Sequence, residues 1–274
     1  MKIGFIGLGN MASAIIGGML REGTVLAAGE APVTAADLIG SAKTEATRTV
    51  RAKEFGLAVT ASNREVAAAA DVVVLAVKPQ FFPEVIAEIR DVVGDKLVIS
   101  IAAGLSLARI AELFGRDEGA MRLIRCMPNT PALVNAGTTA VCLGSGATEA
   151  DEAVCLNLVR SFGEAIVIPE RLMDAASAVA GSSPAFVFMF IEALADGAVA
   201  AGMPRVQAYE FAAGAVTGSA QLVLQTGRHP GDLKDMVCSP AGTTIEGVRA
   251  LEEGAFRASV MNAVSACVAK AQSL

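Results

Sequence analysis

Gly7, Gly9 and Ala12 stand at the spacing G-x-G-x-x-A within the opening run MKIGFIGLGNMA. Small residues in that pattern do three jobs: the first glycine permits a tight turn, the second lets a pyrophosphate approach the backbone, and the third position packs a helix against a strand. The chemistry is that of dinucleotide binding, provided a strand enters the turn and a helix leaves it. Ile3–Ile6 reads as the strand and Asn10–Arg21 as the helix. A glycine turn between two buried elements, without a ligand, would use the same residues.

A second place suited to chemistry lies near the other end, in the run Ser239-Pro240-Ala241-Gly242-Thr243-Thr244-Ile245-Glu246. Thr243 and Glu246 have capping-box spacing ahead of the apolar positions Ile245, Val248 and Leu251, so one expectation is a well-capped helix. A helix N-terminus behind Gly242 also presents unpaired N–H groups and a positive dipole end, which suits a small carboxylate. The hydroxyls of Thr243 and Thr244 could add to that anion site. Between the two ends, Lys78 and Pro79 close an apolar run where a sheet would bind ligands; Lys78 could face a cofactor or simply be a solvated loop lysine. Ile101–Gly104 is small enough for a flat ring to lie against it, or for close packing. Asn129 and Thr130 offer hydrogen-bonding groups in a loop held by Pro128 and Pro131.

What the chain lacks narrows the reaction. His229, the only histidine, precedes Pro230, and the five cysteines are scattered without a C-x-x-C pair, so zinc spacings and a His-dependent hydrolase both lose ground; no metal is expected. Tyr209, the only tyrosine, is followed four residues later by Ala213, which removes a Tyr-x-x-x-Lys proton donor. A C=N bond whose nitrogen already carries a proton needs little acid catalysis when a nicotinamide supplies hydride, whereas a ketone would need a donor for its developing alkoxide.

The elements that must position these residues follow two rhythms. From Lys2 to about Val167, apolar strands at Val33–Ala36, Asp71–Val77, Leu97–Ile101, Leu123–Met127 and Ala140–Leu143 alternate with helical segments at Lys43–Phe55, Arg64–Ala70, Phe82–Val92, Leu105–Phe114 and Glu149–Phe162. That alternation predicts an α/β fold with a parallel, doubly wound Rossmann-type sheet. Past Pro169 the chain is helix upon helix, at Arg171–Val179, Pro184–Ala201, Arg205–Thr226 and Thr244–Ser273. The expected division is therefore 1–165 for the dinucleotide-binding domain and 166–274 for an all-helical domain. Phe186–Ile191 is apolar on every side, more than about 110 residues of helix can cover alone, which points to a subunit interface.

Composition excludes other classes. A formal charge of −6 without blocks of like charge argues against nucleic acid as a partner. Each long apolar stretch carries a charge, as Asp71 and Glu192 do, so no membrane span is expected, and the start of the chain lacks the make-up of a secretory signal. A cytoplasmic protein is the expectation.

The runs GFIGLGNMA, AVKP, SIAAG, MPNTPALV, SSPAFVFMFIEA and LKDMVCSPAGTTIEGVRALE, in this order, resemble the pyrroline-5-carboxylate reductase family over essentially the whole chain, most specifically in Leu233–Glu252. The resemblance implies NAD(P)H-dependent reduction of 1-pyrroline-5-carboxylate to L-proline, the last step of proline biosynthesis. It also implies an intertwined homodimer built by the C-terminal all-helical dimerisation domain, with assembly into a decamer as a further expectation. By motif, Ile6, Gly7, Leu8, Gly9, Asn10, Met11, Asn63, Ala76, Val77, Lys78, Pro79, Ala102 and Ala103 would contact the cofactor. Gly242, Thr243 and Thr244 would bind the substrate carboxylate, with the Thr244 hydroxyl, the catalytic group, near the ring nitrogen. Asp37 departs from this picture. Placed just after a strand at Val33–Ala36, it would bond a ribose diol and favour NAD, unless it caps the following helix; Lys43 or Arg48 could still reach the extra phosphate of NADPH, toward which the reading leans. The rival readings are an oxidoreductase of the β-hydroxyacid dehydrogenase type and a non-catalytic dinucleotide-sensing protein.

Overall fold

The structure, a computed structural model, describes residues 1–273. By internal contacts the chain forms two units, Met1–Gly181 together with the end of the chain from Val268, and Ser182–Cys267.

The first unit is built on β1 (Ile3–Ile6), α1 (Asn10–Glu22), β2 (Leu38–Ser41), α2 (Glu45–Phe55), β3 (Ala58–Thr60), α3 (Asn63–Ala69), β4 (Val72–Leu75), α4 (Phe82–Ile89), β5 (Leu97–Ser100), α5 (Leu107–Phe114), β6 (Leu123–Met127), β7 (Gly137–Leu143), α6 (Glu149–Arg160) and β8 (Gly163–Val167). The strands form one sheet in the order β3-β2-β1-β4-β5-β6-β7-β8. All neighbours are parallel except β6 and β7. β1, β4 and β5 are buried throughout, as strands covered by helices on both faces must be, and this explains their near-continuous apolar sequences.

The strand expected at Val33–Ala36 is displaced. Thr34 and Asp37 form a capping box instead: Asp37 accepts from the Thr34 N–H at 2.9 Å and from its hydroxyl at 2.6 Å, which winds Ala35–Asp37 into a 3-10 turn ahead of β2. These bonds, the hydroxyl's first, hold the Asp37 carboxyl below the usual carboxylate range. The true β2, Leu38-Ile39-Gly40-Ser41, looks unpromising as a strand because it contains glycine. That glycine is needed, since a Cβ at Gly40 would stand 2.6 Å from Leu8. β3 and β8 also lie outside the strands expected from sequence.

The division between units falls at Gly181 rather than near 165 because the first residues after β8 stay with the sheet. Glu170 Oε1 accepts from Arg125 Nη1 at 2.9 Å and from the Leu107 N–H at 2.8 Å, and Met173 is buried in the sheet's core. α7 (Met173–Ala176) then passes into a π-helical turn at Ser177–Ser182, in place of one helix over Arg171–Val179. Three of the five cysteines, Cys126, Cys142 and Cys155, are buried; contact with Cys155 and burial together push the Cys126 thiol well up.

Asp151 shows how tightly this unit is tied. It is 1% exposed, caps α6 together with Thr148, and accepts from Arg122 Nε at 3.0 Å. Burial alone would raise its pKa, but the Arg122 guanidinium and the Thr148 N–H and hydroxyl outweigh burial and hold it below the usual value. The folded carboxyl thus takes up a proton less readily than the unfolded one. Its contribution is present above the unfolded value of about 3.9 and is lost as pH falls through the lowered folded value. Asp151→Asn should cost about 1–3 kcal/mol in urea unfolding at neutral pH, discounted because Arg122 is partly solvated. The gap from wild type should close below about pH 4.

The second unit holds α8 (Ser183–Ala200), α9 (Arg205–Thr226), α10 (Pro230–Val237), α11 (Thr243–Glu253) and most of α12 (Phe256–Ala271). α10 was not expected; Pro230 opens it and the His229 ring accepts from the Gly231 N–H at 3.0 Å as its cap. The single helix expected over Thr244–Ser273 is two, broken at Ala255, whose φ is +54°. The buried apolar cluster here is small, Ala195, Ala208 and Ala212, with Leu233 of α10 buried besides. Phe188, Met189, Phe211 and Leu224 are 64, 68, 69 and 78% exposed in the single chain. By length and hydropathy alone Glu170–Ala200 could cross a membrane. Its uncharged stretch between Asp174 and Glu192, however, falls short of the roughly 20 residues a bilayer needs.

Candidate functional site

The carboxyl ends of β1, β2 and β4 surround a cavity of about 460 Å³. Gly7 turns the chain over its floor with φ +97°, and a Cβ there would stand 2.9 Å from the Ala76 carbonyl oxygen and 2.9 Å from Val77 Cγ1. Conformation and space both demand glycine. The Gly7 N–H donates to the Ser41 carbonyl at 3.0 Å, joining the turn to the end of β2. Gly9 caps α1 without any side-chain bond, and a Cβ there would meet nothing within 4 Å. The amide end of α1 therefore opens on empty space, with the partial positive charge that draws a pyrophosphate. Ala12, buried beneath, lets the helix sit close to the sheet.

α2 braces this opening. Arg48 Nη1 donates to the carbonyls of Ala42 at 2.8 Å and Lys43 at 3.0 Å, and Arg51 Nε donates to the Leu8 carbonyl at 3.4 Å. On the other wall, Ser41 Oγ donates to Asn63 Oδ1 at 2.7 Å while Asn63 Nδ2 donates to Glu88 Oε2 at 2.8 Å. Lys43 and Lys78 bring positive charge to the rim, and Phe81 and Val85 give it an apolar side.

Of the residues expected at a cofactor site, Gly7, Gly9, Asn63, Ala76, Val77 and Lys78 line this cavity. Ile6 and Leu8 have buried side chains and offer only backbone; Asn10 and Met11 open α1, and Pro79 opens a 3-10 turn. Ala102 and Ala103 follow β5 at the same sheet edge but do not line the cavity. Asp37 is corrected outright: it precedes β2, at the opposite end of the strand from the cavity, and cannot meet a ribose there. Ser41, Ala42 and Phe81 line the cavity and were missed; the signal for the first two is a β2 placed at Leu38–Ser41. Asn129 acts as a clamp, accepting from the Thr138 N–H at 2.8 Å and donating to the Ala180 carbonyl at 3.0 Å.

In the second unit Gly242, not Thr243, is the N-cap of α11 and has no side-chain cap bond. The expected Thr243–Glu246 capping box is thus absent, and Glu246 accepts from Arg249 at 2.6 Å instead. Ala241, in the left-handed region at φ +56°, turns the chain into the helix, and Thr243 and Thr244 are exposed in its first turn.

A glycine turn at the carboxyl edge of a doubly wound sheet, facing an uncapped helix N-terminus and followed by a helical unit, defines a dinucleotide-dependent oxidoreductase architecture. Residues 2–104 match the family described as NADP oxidoreductase, coenzyme F420-dependent, and residues 170–274 match pyrroline-5-carboxylate reductase dimerisation. The chain is 50% identical to the pyrroline-5-carboxylate reductase of Escherichia coli, covering 100% of this chain and 98% of that one. It is 41% identical to that of Arabidopsis thaliana, covering 100% and 95%. Among solved structures it is similar to the Coxiella burnetii reductase, with a TM-score of 0.90 and 31% identity over 99% of this chain and 97% of that one. It is also similar to the Plasmodium falciparum enzyme with NADP bound, with a TM-score of 0.85 and 31% identity over 100% and 97%. The chain belongs to the pyrroline-5-carboxylate reductase family.

Proposed function

We propose that this protein reduces the C=N bond of 1-pyrroline-5-carboxylate to L-proline, the last step of proline biosynthesis, in the cytoplasm and with NADPH as reductant. The observation that carries this is the amide end of α1 opening on a cavity of about 460 Å³, in a chain that matches known reductases over its full length. That match also disfavours both rivals, the β-hydroxyacid dehydrogenase type and the non-catalytic sensor.

NADPH, when bound, supplies the hydride to the carbon of the C=N bond. The chain's own residues bind and orient. The N–H groups at Asn10 and Met11 hold the pyrophosphate, and Ile6–Gly9, Asn63, Ala76–Pro79, Ala102 and Ala103 line the cofactor's path. Gly242, Thr243 and Thr244 hold the substrate carboxylate at the uncapped start of α11, with the Thr244 hydroxyl near the ring nitrogen. A protonated imine is already electrophilic, which fits a site that has no histidine or tyrosine among these residues. The sheet-bearing unit serves the cofactor, and the helical unit serves the substrate and the homodimer, with a decamer as the larger assembly. The dimerisation match and the exposed apolar side chains of α8 and α9 support the pairing of subunits.

Incubation with 1-pyrroline-5-carboxylate and NADPH should consume the reduced nicotinamide absorbance. A folded sample that leaves it unchanged would overturn the assignment. With Asp37 away from the cavity and Lys43 at its rim, kcat/KM should be about tenfold higher with NADPH than with NADH, the size of one charge-assisted bond to a phosphate. Lys43→Ala should narrow that ratio several-fold. Matched assays showing equal or better efficiency with NADH would reverse the preference.

A further inference from the structure

Glu88 is out of place on electrostatic grounds. With Glu84 it is one of two acidic residues lining a cavity proposed to hold a polyanion, and like charges repel there. Arg64, the nearest cation on α3, does not neutralise it: its guanidinium goes to the Asp91 carboxylate at 2.6 Å and to the backbone carbonyl of Glu88 at 3.4 Å. The Glu88 carboxylate instead accepts from Asn63 Nδ2 at 2.8 Å.

Resting on the reading of this cavity as the NADPH site, we infer that Glu88 is a positioning residue that fixes which end of the Asn63 amide faces which neighbour. An asparagine amide has a donor end and an acceptor end that differ little in shape. Ser41 cannot choose between them, because a hydroxyl donates or accepts equally well. An ionised carboxylate only accepts, so Nδ2 must face Glu88 and Oδ1 must take the Ser41 hydroxyl, as the 2.8 and 2.7 Å contacts show. Nδ2 then keeps its second hydrogen as a donor in a cavity meant for ribose and phosphate oxygens. A flipped amide would present an acceptor to those oxygens and repel them. The buried Ser41 and the first turn of α3 fix the side chain's place, while Glu88 fixes its polarity.

The test is a comparison of wild type, Glu88→Ala, Glu88→Gln, Asn63→Ala and the double alanine variant. NADPH binding is measured by titration, and KM and kcat in the reductase assay. Glu88→Ala should raise Kd and KM for NADPH about three- to tenfold, the usual effect of an unfixed side chain, with kcat within twofold. Glu88→Gln can present either atom and should fall between. On the Asn63→Ala background, Glu88→Ala should add no further loss. Because Glu88 is exposed at the rim, these changes should leave folding intact. Simple charge repulsion predicts the opposite sign, tighter NADPH binding on removing the carboxylate, and that result would overturn the inference. So would an equal loss in the Asn63→Ala background. Wild-type protein that fails to bind NADPH would instead overturn the cavity assignment itself, and this inference with it.

Discussion

Thr244→Ala should lower kcat for 1-pyrroline-5-carboxylate about 100-fold, the typical cost of removing one pre-aimed hydrogen-bonding group from a reacting centre. NADPH affinity should stay within twofold of wild type. The cofactor cavity is lined by residues between Gly7 and Glu88, whereas Thr244 sits in the first turn of α11. The two effects are therefore separable. In the proposed site the hydroxyl acts beside N–H groups that no side chain caps, so its loss would remove a directed bond while leaving the dipole in place. Thr244→Ser keeps the hydroxyl and should recover most of the turnover. Steady-state kinetics and cofactor titration on the three proteins decide the matter: near wild-type kcat for the alanine variant would move the substrate elsewhere.

Met189→Glu on α8 should give a single-chain species and reduce kcat/KM at least about 100-fold, because a charge buried without a partner in the proposed subunit interface costs several kcal/mol. Met189 and Phe188 are 68 and 64% exposed in the single chain, on a helix within the segment that matches the dimerisation family. If the threonines of one subunit serve the cofactor of another, separation abolishes catalysis without touching the glycine turn. NADPH titration should accordingly remain normal. Sedimentation gives the assembly and the reductase assay the activity; a fully active single chain would show that each copy completes its own site.

How much of this was legible in the sequence depends on how local each signal is. β1, β4, β5 and β6 announce themselves as apolar runs because both faces of the sheet are covered, and the turn at Gly7 is fixed by a conformation only glycine adopts readily. β2 was misplaced because Gly40 is chosen for Leu8, a contact made only in the folded sheet, while Thr34 and Asp37 divert the backbone into a local turn. That one slip of register put Asp37 at the wrong end of the strand and hid Ser41. The capping box at Thr243 failed for a similar reason: Ala241 bends the chain so that Gly242 becomes the cap. β8, with much of its surface exposed, has too little apolar pattern to be seen. The Ser41–Asn63–Glu88 chain joins three elements, and nothing in the spacing of those residues announces it.

The few buried side chains of the second unit bear on how the molecule comes into being. A newly synthesised copy can complete its sheet unaided, whereas in the proposed homodimer its remaining helices gain cover on meeting another copy. Acquisition of the finished state should therefore be second order in concentration, and heat resistance should rise as the sample is made more concentrated. Scarce copies would wait longest with Phe211 and Leu224 bare, the period in which chaperones or misassociation would claim them.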